Sequence, residues 1–201
     1  MARLSTVDQA FFLLETRDRP MSIGALFVVA PPPGQHRDFA GRLVRTMLKR
    51  PVGPPFNYRL RPGPLKGLLA LDEDARMDPA TQVIHHKLPR GAGLPVLFER
   101  LCRIHVQLLR HDAPLWEQHV FTGLPGGRVA LYFKTHHGLI DGIGFLHALN
   151  TMVATSPTQR LPRALWEGLR HFKPPAGPPP DPAGKTLLKA ASEVSRTATD
   201  M

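Results

Sequence analysis

The sequence predicts an α/β fold in which a mixed sheet is layered with helices. Two patterns favour this fold: short apolar runs of strand length that end at glycine or proline, and longer segments with apolar residues every three or four positions. Elements of both kinds occur along one chain, as in layered α/β folds. With 201 residues, 42% of them hydrophobic, the chain can bury a substantial core.

The first elements are two helices with a strand between them. Ser5 to Glu15 predicts a short helix, because Ser5 and Asp8 have the spacing of a capping box. Gly24 to Ala30 is a compact apolar run before three prolines and predicts a buried strand. Asp38 to Lys49 has apolar residues at four-residue intervals, which predicts an amphipathic helix.

The following elements are a strand, a long helix and a hairpin that leads into a last helix. Val83 to Leu88 predicts a strand, and Leu94 to Arg110 predicts an amphipathic helix. Glu117 to Thr122 and Arg128 to Lys134 flank a Pro-Gly-Gly turn, a spacing that predicts a β-hairpin. Gly142 to Val153 predicts a helix directly after the hairpin.

The distribution of proline divides the chain into three parts. The sequence has 22 prolines, and the stretch from Pro174 to Pro182 cannot form the interior of a helix or a sheet. We therefore assign residues 1–155 to one domain and residues 156–182 to a proline-rich linker. Residues 183–201 are predicted to begin a helical segment that leads to a C-terminal domain beyond these 201 residues.

Composition limits the classes of partner. The net charge of +10 favours an anionic partner such as a membrane surface or a phosphorylated cofactor. The basic residues are dispersed and no nucleic-acid-binding motif is present, so nucleic acid is not predicted. The single cysteine, Cys102, cannot form an internal disulfide and is predicted to be a buried apolar residue. Without a spanning segment or signal peptide, we predict a cytoplasmic protein, with peripheral membrane contact left open.

The stretch with the most chemical information lies where the hairpin ends and the last helix begins. It reads His136-His137-Gly138-Leu139-Ile140-Asp141-Gly142. Adjacent residues of an extended chain point to opposite sides, so we expect one histidine to face a site and the other to support the backbone. Gly138 and Gly142 are expected to adopt backbone angles that other residues resist and to leave room for a substrate. Asp141 is expected to have a structural role across the turn.

A histidine in this position suits direct acyl transfer. Its ordinary pKa allows it to remove a proton from a hydroxyl near neutral pH. The hydroxyl oxygen then attacks a thioester carbonyl and the thiol leaves, so no serine or cysteine nucleophile is needed. The sequence has no Gly-x-Ser-x-Gly motif, which agrees with this route.

Other interpretations of the histidine pairs are weaker. A second pair, His85-His86, is predicted to be an exposed strand end without a function. A metal site formed by His136, His137 and Asp141 does not match the spacing of helical zinc ligands, because adjacent histidines lie on opposite faces of a strand. We therefore predict no metal.

The pattern His-His-x-x-x-Asp-Gly is the signature of a superfamily that includes chloramphenicol acetyltransferase, carnitine acyltransferases and peptide-synthetase condensation domains. Three further stretches make residues 3 to 155 resemble the bacterial wax ester synthase/diacylglycerol acyltransferase family. They are Leu4 to Glu15, Pro20-Met21-Ser22-Ile23-Gly24 and Pro114-Leu115-Trp116-Glu117. Ser22 stands where that family has a histidine.

The resemblance implies the N-terminal half of a chloramphenicol acetyltransferase-like two-domain fold, with the active channel between the halves. It implies that His137 is the general base, with His136 beside it in the catalytic motif and Asp141 structural. The segment Pro114-Leu115-Trp116 would shape the acyl channel, although a core position for Trp116 fits the pattern equally well.

The resemblance also implies the substrates and partners. Long-chain acyl-CoA would be the co-substrate, with no further cofactor, and diacylglycerol or a long-chain alcohol would be the acceptor, giving triacylglycerol or wax ester. A membrane or lipid-droplet surface and a separate C-terminal half are the other expected partners. Two alternatives stay open: a truncated, non-catalytic chain that binds lipid or acyl-CoA, and a carrier-dependent condensing enzyme, which the stretches at Asp8 and Pro114 disfavour.

Overall fold

The computed structural model describes residues 2–34, 37–61, 70–153, 156 and 163–169. Its larger sheet consists of β2 (Ser22–Val29), β5 (Val83–Lys87), β6 (Trp116–Thr122) and β7 (Val129–His136), in the spatial order β2-β7-β6-β5. β5 runs parallel to β6 and the other neighbours are antiparallel, so the sheet is mixed. The smaller sheet is antiparallel and consists of β1 (Ala2–Arg3), β3 (Tyr58–Leu60) and β4 (Ala70–Glu73), with β4 in the middle.

The α-helices of the described residues are α1 (Thr6–Leu14), α2 (Phe39–Leu48), α3 (Leu94–His105) and α4 (Gly142–Met152). Short 3-10 turns lie at Pro79–Gln82, Pro125–Gly127 and Leu165–Glu167. The capping box that the sequence predicts at the start of α1 is present. None of the helices in the described part of the chain combines the length and the apolar character needed to cross a bilayer. The predicted class, a mixed sheet layered with helices, is confirmed.

The strand predicted to be buried near the N-terminus is instead an edge strand. β2 pairs with β7 on one side only within the described sheet, and Gly24 and Val28 are exposed. An apolar run of this kind indicates a strand but does not tell whether the strand has one neighbour or two. The prediction was therefore right that this segment is a strand and wrong that the strand is buried.

β7 is a central strand, and every one of its residues is buried. The apolar face packs into the main core, as the alternation of Val129, Leu131 and Phe133 predicts. The opposite face, which includes Tyr132, is also buried, because α3 packs across it through Leu97 and Ile104. The most unusual residue of this face is Lys134, which has no solvent exposure.

Lys134 contacts the C-terminal end of α3. Its Nζ donates hydrogen bonds to the carbonyl oxygens of Ile104, at 3.0 Å, and Gln107. A cation at this position satisfies carbonyl groups that the end of a helix leaves unpaired. The helix ends at His105 and not at the predicted Arg110. Cys102 on this helix is exposed, so the prediction that it is buried was wrong.

Part of the segment predicted as a linker belongs to the main core. Within residues 156–182, the described residues 163–169 place Trp166 in the interior with no exposure, stacked on Trp116 at a centroid distance of 5.5 Å. The backbone is fixed there as well, because Gly53 donates its N–H to the Trp166 carbonyl oxygen at 2.9 Å. Apart from Ser156, the other residues of the predicted linker lie outside the described residues, as does the helix predicted for residues 183–201.

Candidate functional site

The histidine motif forms a tight turn between β7 and α4. Leu139 donates its N–H to the carbonyl oxygen of His136 at 3.0 Å, which closes the turn directly after the strand. Asp141 is the N-cap residue of α4, and its carboxylate accepts the N–H of Gly144 at 2.6 Å. The side chain of Asp141 is exposed and fixes the start of the helix.

His137 is the partly exposed histidine of the pair. Its N–H donates to the carbonyl oxygen of Met21 at 2.8 Å, and its ring packs at a tilt against that of Phe11 with centroids 4.0 Å apart. Its Nδ1 is buried and has no hydrogen-bond partner among the described residues. A contact between this ring and another molecule therefore falls to the Nε2 side.

His136 is fully buried and lies in different surroundings from its neighbour. Its Nδ1 accepts the N–H of Gly138 at 3.0 Å, and its ring stacks on Phe12 with centroids 3.9 Å apart and planes at 11°. On the other side of the ring, Nε2 is 3.4 Å from Oε1 of Glu15. Two consecutive phenylalanines of α1 thus cover the two consecutive histidines.

Glu15 is the centre of a buried polar network that the sequence did not reveal. Its carboxylate is 1% exposed, accepts the Met21 N–H at 3.1 Å, and lies 2.8 Å from Nε2 of His111. Burial opposes ionisation of this carboxyl, but hydrogen bonds from His111, His136 and the Met21 backbone outweigh it and hold the pKa of Glu15 well below its usual range. In the sequence, Glu15 is a polar residue at the end of a predicted helix, and His111 belongs to no motif. Neither residue therefore indicates a functional role on its own.

The same network is the group of described residues with the geometry closest to a metal site. Ligand atoms of Glu15, His111 and His136 lie within 4.8 Å of one another, and two histidines with one carboxylate can bind zinc. However, the Gly138 N–H points at Nδ1 of His136, so Nδ1 accepts and the proton of the neutral ring is on Nε2. That proton occupies the position a metal would need. The arrangement therefore favours a hydrogen-bonded network over a metal centre.

The two glycines of the motif have different surroundings. A Cβ on Gly138 would lie 2.5 Å from the Phe12 ring and 2.8 Å from the Asp8 carbonyl oxygen, so only glycine allows the turn to approach α1 this closely. Gly142 is exposed and has open space around a virtual Cβ. Neither glycine has a positive φ, so the expectation of unusual backbone angles was wrong. The requirement at Gly138 is steric.

The Pro114-Leu115-Trp116 segment enters β6 behind the histidines. Pro114 is half-buried and Leu115 is fully buried. The Leu115 carbonyl oxygen accepts the N–H of His136 at 3.0 Å and the hydroxyl of Thr135 at 3.1 Å. This segment therefore supports the end of β7 through its backbone.

Trp116 lies in the core, with no exposure. Its Nε1 donates to the carbonyl oxygen of Phe56 at 2.8 Å, and its ring stacks on Phe133 at 5.3 Å. The indole N–H of Trp116 is thus hydrogen-bonded, and its ring is packed, within the described residues. The described structure brings together His136, His137, Gly138 and Asp141 at the turn, and places Trp116 behind them.

The second histidine pair lies on β5, at a distance along the sheet from this turn. His85 is exposed, as predicted. His86 is half-buried, because its Nε2 lies 2.9 Å from Nδ1 of His119, whose Nε2 is 3.0 Å from Glu117. The expectation of an exposed end was therefore wrong for His86, which takes part in a hydrogen-bonded chain on the face covered by α3.

Comparison with known proteins matches this arrangement to one family. The sequence profile described as "Wax ester synthase/diacylglycerol acyltransferase catalytic domain" matches residues 4–201. A putative diacylglycerol O-acyltransferase of Mycobacterium tuberculosis is 35% identical over 167 residues, which is 81% of this chain and 37% of that protein. A probable diacylglycerol O-acyltransferase of the same species is 32% identical over 188 residues, which is 91% of this chain and 40% of that protein.

Solved structures of related proteins match the chain as well. The wax ester synthase/diacylglycerol acyltransferase of Marinobacter aquaeolei VT8 superposes with a TM-score of 0.74 at 30% identity, over 82% of this chain and 41% of that chain. A condensation domain of the calcium-dependent antibiotic synthetase has the same fold, with a TM-score of 0.54 at 21% identity over 75% of this chain and 36% of that chain. The chain thus spans about two fifths of the length of these relatives.

Proposed function

Because the chain belongs to the wax ester synthase/diacylglycerol acyltransferase family, we propose that it carries the general base of an acyl-CoA-dependent O-acyltransferase. A long-chain acyl group would move from acyl-CoA, as co-substrate, to the hydroxyl of diacylglycerol or of a fatty alcohol. The products would be triacylglycerol or a wax ester, together with free coenzyme A. No further cofactor takes part in this reaction.

The observation that carries the proposal is the setting of His137. The ring is held by Phe11 and by the backbone bond to Met21, and its Nε2 side is the side left for a substrate. Nε2 removes the proton of the acceptor hydroxyl while the oxygen attacks the thioester carbonyl. The tetrahedral intermediate then breaks its C–S bond, and the leaving sulfur takes the proton from His137.

The surface beside the turn is consistent with an apolar substrate. Ile143 and Leu146 on α4 are 71% and 60% exposed, and Val7 on α1 is 66% exposed. Both helices adjoin the histidine turn. Contiguous exposed apolar surface is typical of regions that contact lipid or another protein, and these side chains lie on the two helices next to the turn. We therefore include peripheral contact with a membrane or lipid-droplet surface, and with a C-terminal half, in the proposal.

The test is a turnover assay with acyl-CoA and either hexadecanol or diacylglycerol. The chain is assayed alone and after coexpression with the part of the Marinobacter relative that it does not span. We expect ester formation, and we expect His137→Ala to lower the rate on the order of 100- to 10,000-fold. His85→Ala is the matched control, because His85 is exposed on β5, away from the turn.

The competing function is binding of lipid or acyl-CoA without catalysis. It predicts saturable binding of acyl-CoA but no ester in either form of the assay. That result, or a His137→Ala variant as active as the unmodified chain, would end the assignment of His137 as the base.

A further inference from the structure

Two chains of polar contacts lead from Glu15 to the backbone around His137. In the first, the Glu15 carboxylate accepts the Met21 N–H at 3.1 Å, and the Met21 carbonyl oxygen accepts the His137 N–H at 2.8 Å. In the second, Oε1 of Glu15 is 3.4 Å from Nε2 of His136, and Nδ1 of His136 accepts the Gly138 N–H at 3.0 Å. The amides on both sides of the His137 α-carbon are therefore tied to one carboxylate.

We propose that Glu15 is a positioning residue that fixes the backbone at His137, and through it the orientation of the His137 ring. Glu15 is 1% exposed, and among the described residues its contacts lead to His137 through Met21 and His136, so it is placed to act on His137 and not on substrate. The catalytic part of this inference rests on the proposed function of His137; the structural part does not. Buried polar contacts of this kind hold their members in one arrangement, because the low local dielectric strengthens each of them.

The donors that surround Glu15 explain why an acidic side chain is suited to this place. The Met21 N–H donates to it, Nε2 of His111 is 2.8 Å away, and Nε2 of His136 must carry a proton because its Nδ1 accepts from Gly138. A carboxylate offers acceptor positions on both oxygens and no donor. A leucine of similar size leaves all three groups without an acceptor, whereas a glutamine retains one acceptor oxygen.

The first experiment measures amide hydrogen exchange in the whole chain by NMR. In the unmodified chain, the amides of Met21, His137 and Gly138 are expected to be protected relative to the exposed turn amide of Gly126. In Glu15→Leu, exchange at His137 and Gly138 is expected to rise on the order of tenfold or more, while amides in the middle of β6 keep their protection. Glu15→Gln is expected to restore most of the protection.

The second experiment measures steady-state kinetics of the complemented enzyme, which is this chain coexpressed with the part of the Marinobacter relative that it does not span. Since Glu15 positions the base without contacting substrate, Glu15→Leu is expected to lower kcat on the order of 10- to 100-fold and to leave the KM for acyl-CoA within about twofold. Glu15→Gln is expected to recover most of kcat. Glu99→Leu is the matched control, because Glu99 is an exposed glutamate of α3 whose ion pair with Arg103 lies on the surface.

The outcomes separate this inference from the proposed function. If the complemented enzyme shows no turnover, the proposed function fails, and the exchange experiment still tests the role of Glu15. If turnover is present but Glu15→Leu leaves both exchange at His137 and kcat unchanged, the inference is overturned and the function stands. If Glu15→Leu does not fold, the unmodified chain decides: Met21 and Gly138 amides that exchange as fast as Gly126 overturn the inference.

Discussion

The rings of Phe11 and His137 pack against each other at a tilt, with their centroids 4.0 Å apart and their planes inclined by 30°. This contact limits the rotation of the histidine ring. No hydrogen bond to Nδ1 from the described residues helps to fix the ring. Phe11→Leu keeps an apolar side chain but removes the flat surface. We expect kcat of the complemented enzyme to fall on the order of tenfold, because the base is less well oriented. Leu13→Ala, on the exposed side of the same helix, is the control for kinetic assays; equal kcat in both variants would contradict the prediction.

The two glycines of the turn give a paired test of stability. Gly138→Ala places a methyl group against Phe12 and the Asp8 carbonyl oxygen, and we expect a loss of roughly 1–3 kcal/mol in the free energy of unfolding. Gly142→Ala adds the same group in open space in the first turn of α4, and we expect a gain of up to about 1 kcal/mol. Urea denaturation measures both. A Gly138→Ala variant as stable as Gly142→Ala would show that α1 and the turn are not in close contact.

Acidification is expected to weaken the fold through Glu15. Burial opposes its ionisation, but the hydrogen bonds from His111, His136 and the Met21 backbone hold its pKa below the ordinary 4.5. As the pH falls through that value, the unfolded chain binds a proton that the folded chain does not. The stabilisation is therefore complete above the unfolded pKa and is lost as the pH falls toward the folded pKa.

The corresponding measurement is the urea midpoint between about pH 5 and about pH 3. It should decline with falling pH in the unmodified chain and decline less in Glu15→Gln, which has no carboxyl to protonate at this position. Glu99→Gln removes an exposed carboxyl and should follow the unmodified chain. Parallel curves for all three proteins would show that Glu15 does not carry this pH dependence.

Trp166 tests whether residues 163–169 belong to the folded domain. Its ring is fully buried against Trp116, so Trp166→Ala is expected to cost roughly 3–5 kcal/mol of unfolding free energy. Phe98→Ala removes an aromatic ring that is 49% exposed on α3 and is expected to cost much less. If chemical denaturation gives similar values for the two variants, the segment does not pack in solution as it does in the structure.

Features encoded within a few residues were predictable from the sequence. The capping box of Ser5 and Asp8 lies within one helical turn, and the hairpin of β6 and β7 joins neighbouring segments. The position of the histidine motif at a strand-to-helix turn followed from these elements. Such signals depend on local backbone preferences, which a single sequence displays directly.

Features that depend on distant partners were not predictable. Glu15 and His111 are 96 residues apart, and nothing near either residue indicates the other. The exposure of Cys102 depends on which side of α3 packs on the sheet, and the apolar positions of that helix did not settle it. Trp166 lies in a segment whose composition favours a linker, yet its ring fills the core. In each case tertiary packing decides what the local pattern leaves open.

The buried lysine of β7 has a consequence for the accuracy of strand pairing. Side chains of a strand alternate between faces, so sliding β7 by one residue against its neighbours would turn Lys134 away from the carbonyl of Ile104 and into apolar surroundings. An unpaired ammonium there would be strongly disfavoured, so misaligned sheets are rejected. His136 lies two residues further on the same face. Lys134, which takes no part in the proposed chemistry, thus favours the register of β7 that places His136 and His137 at the turn.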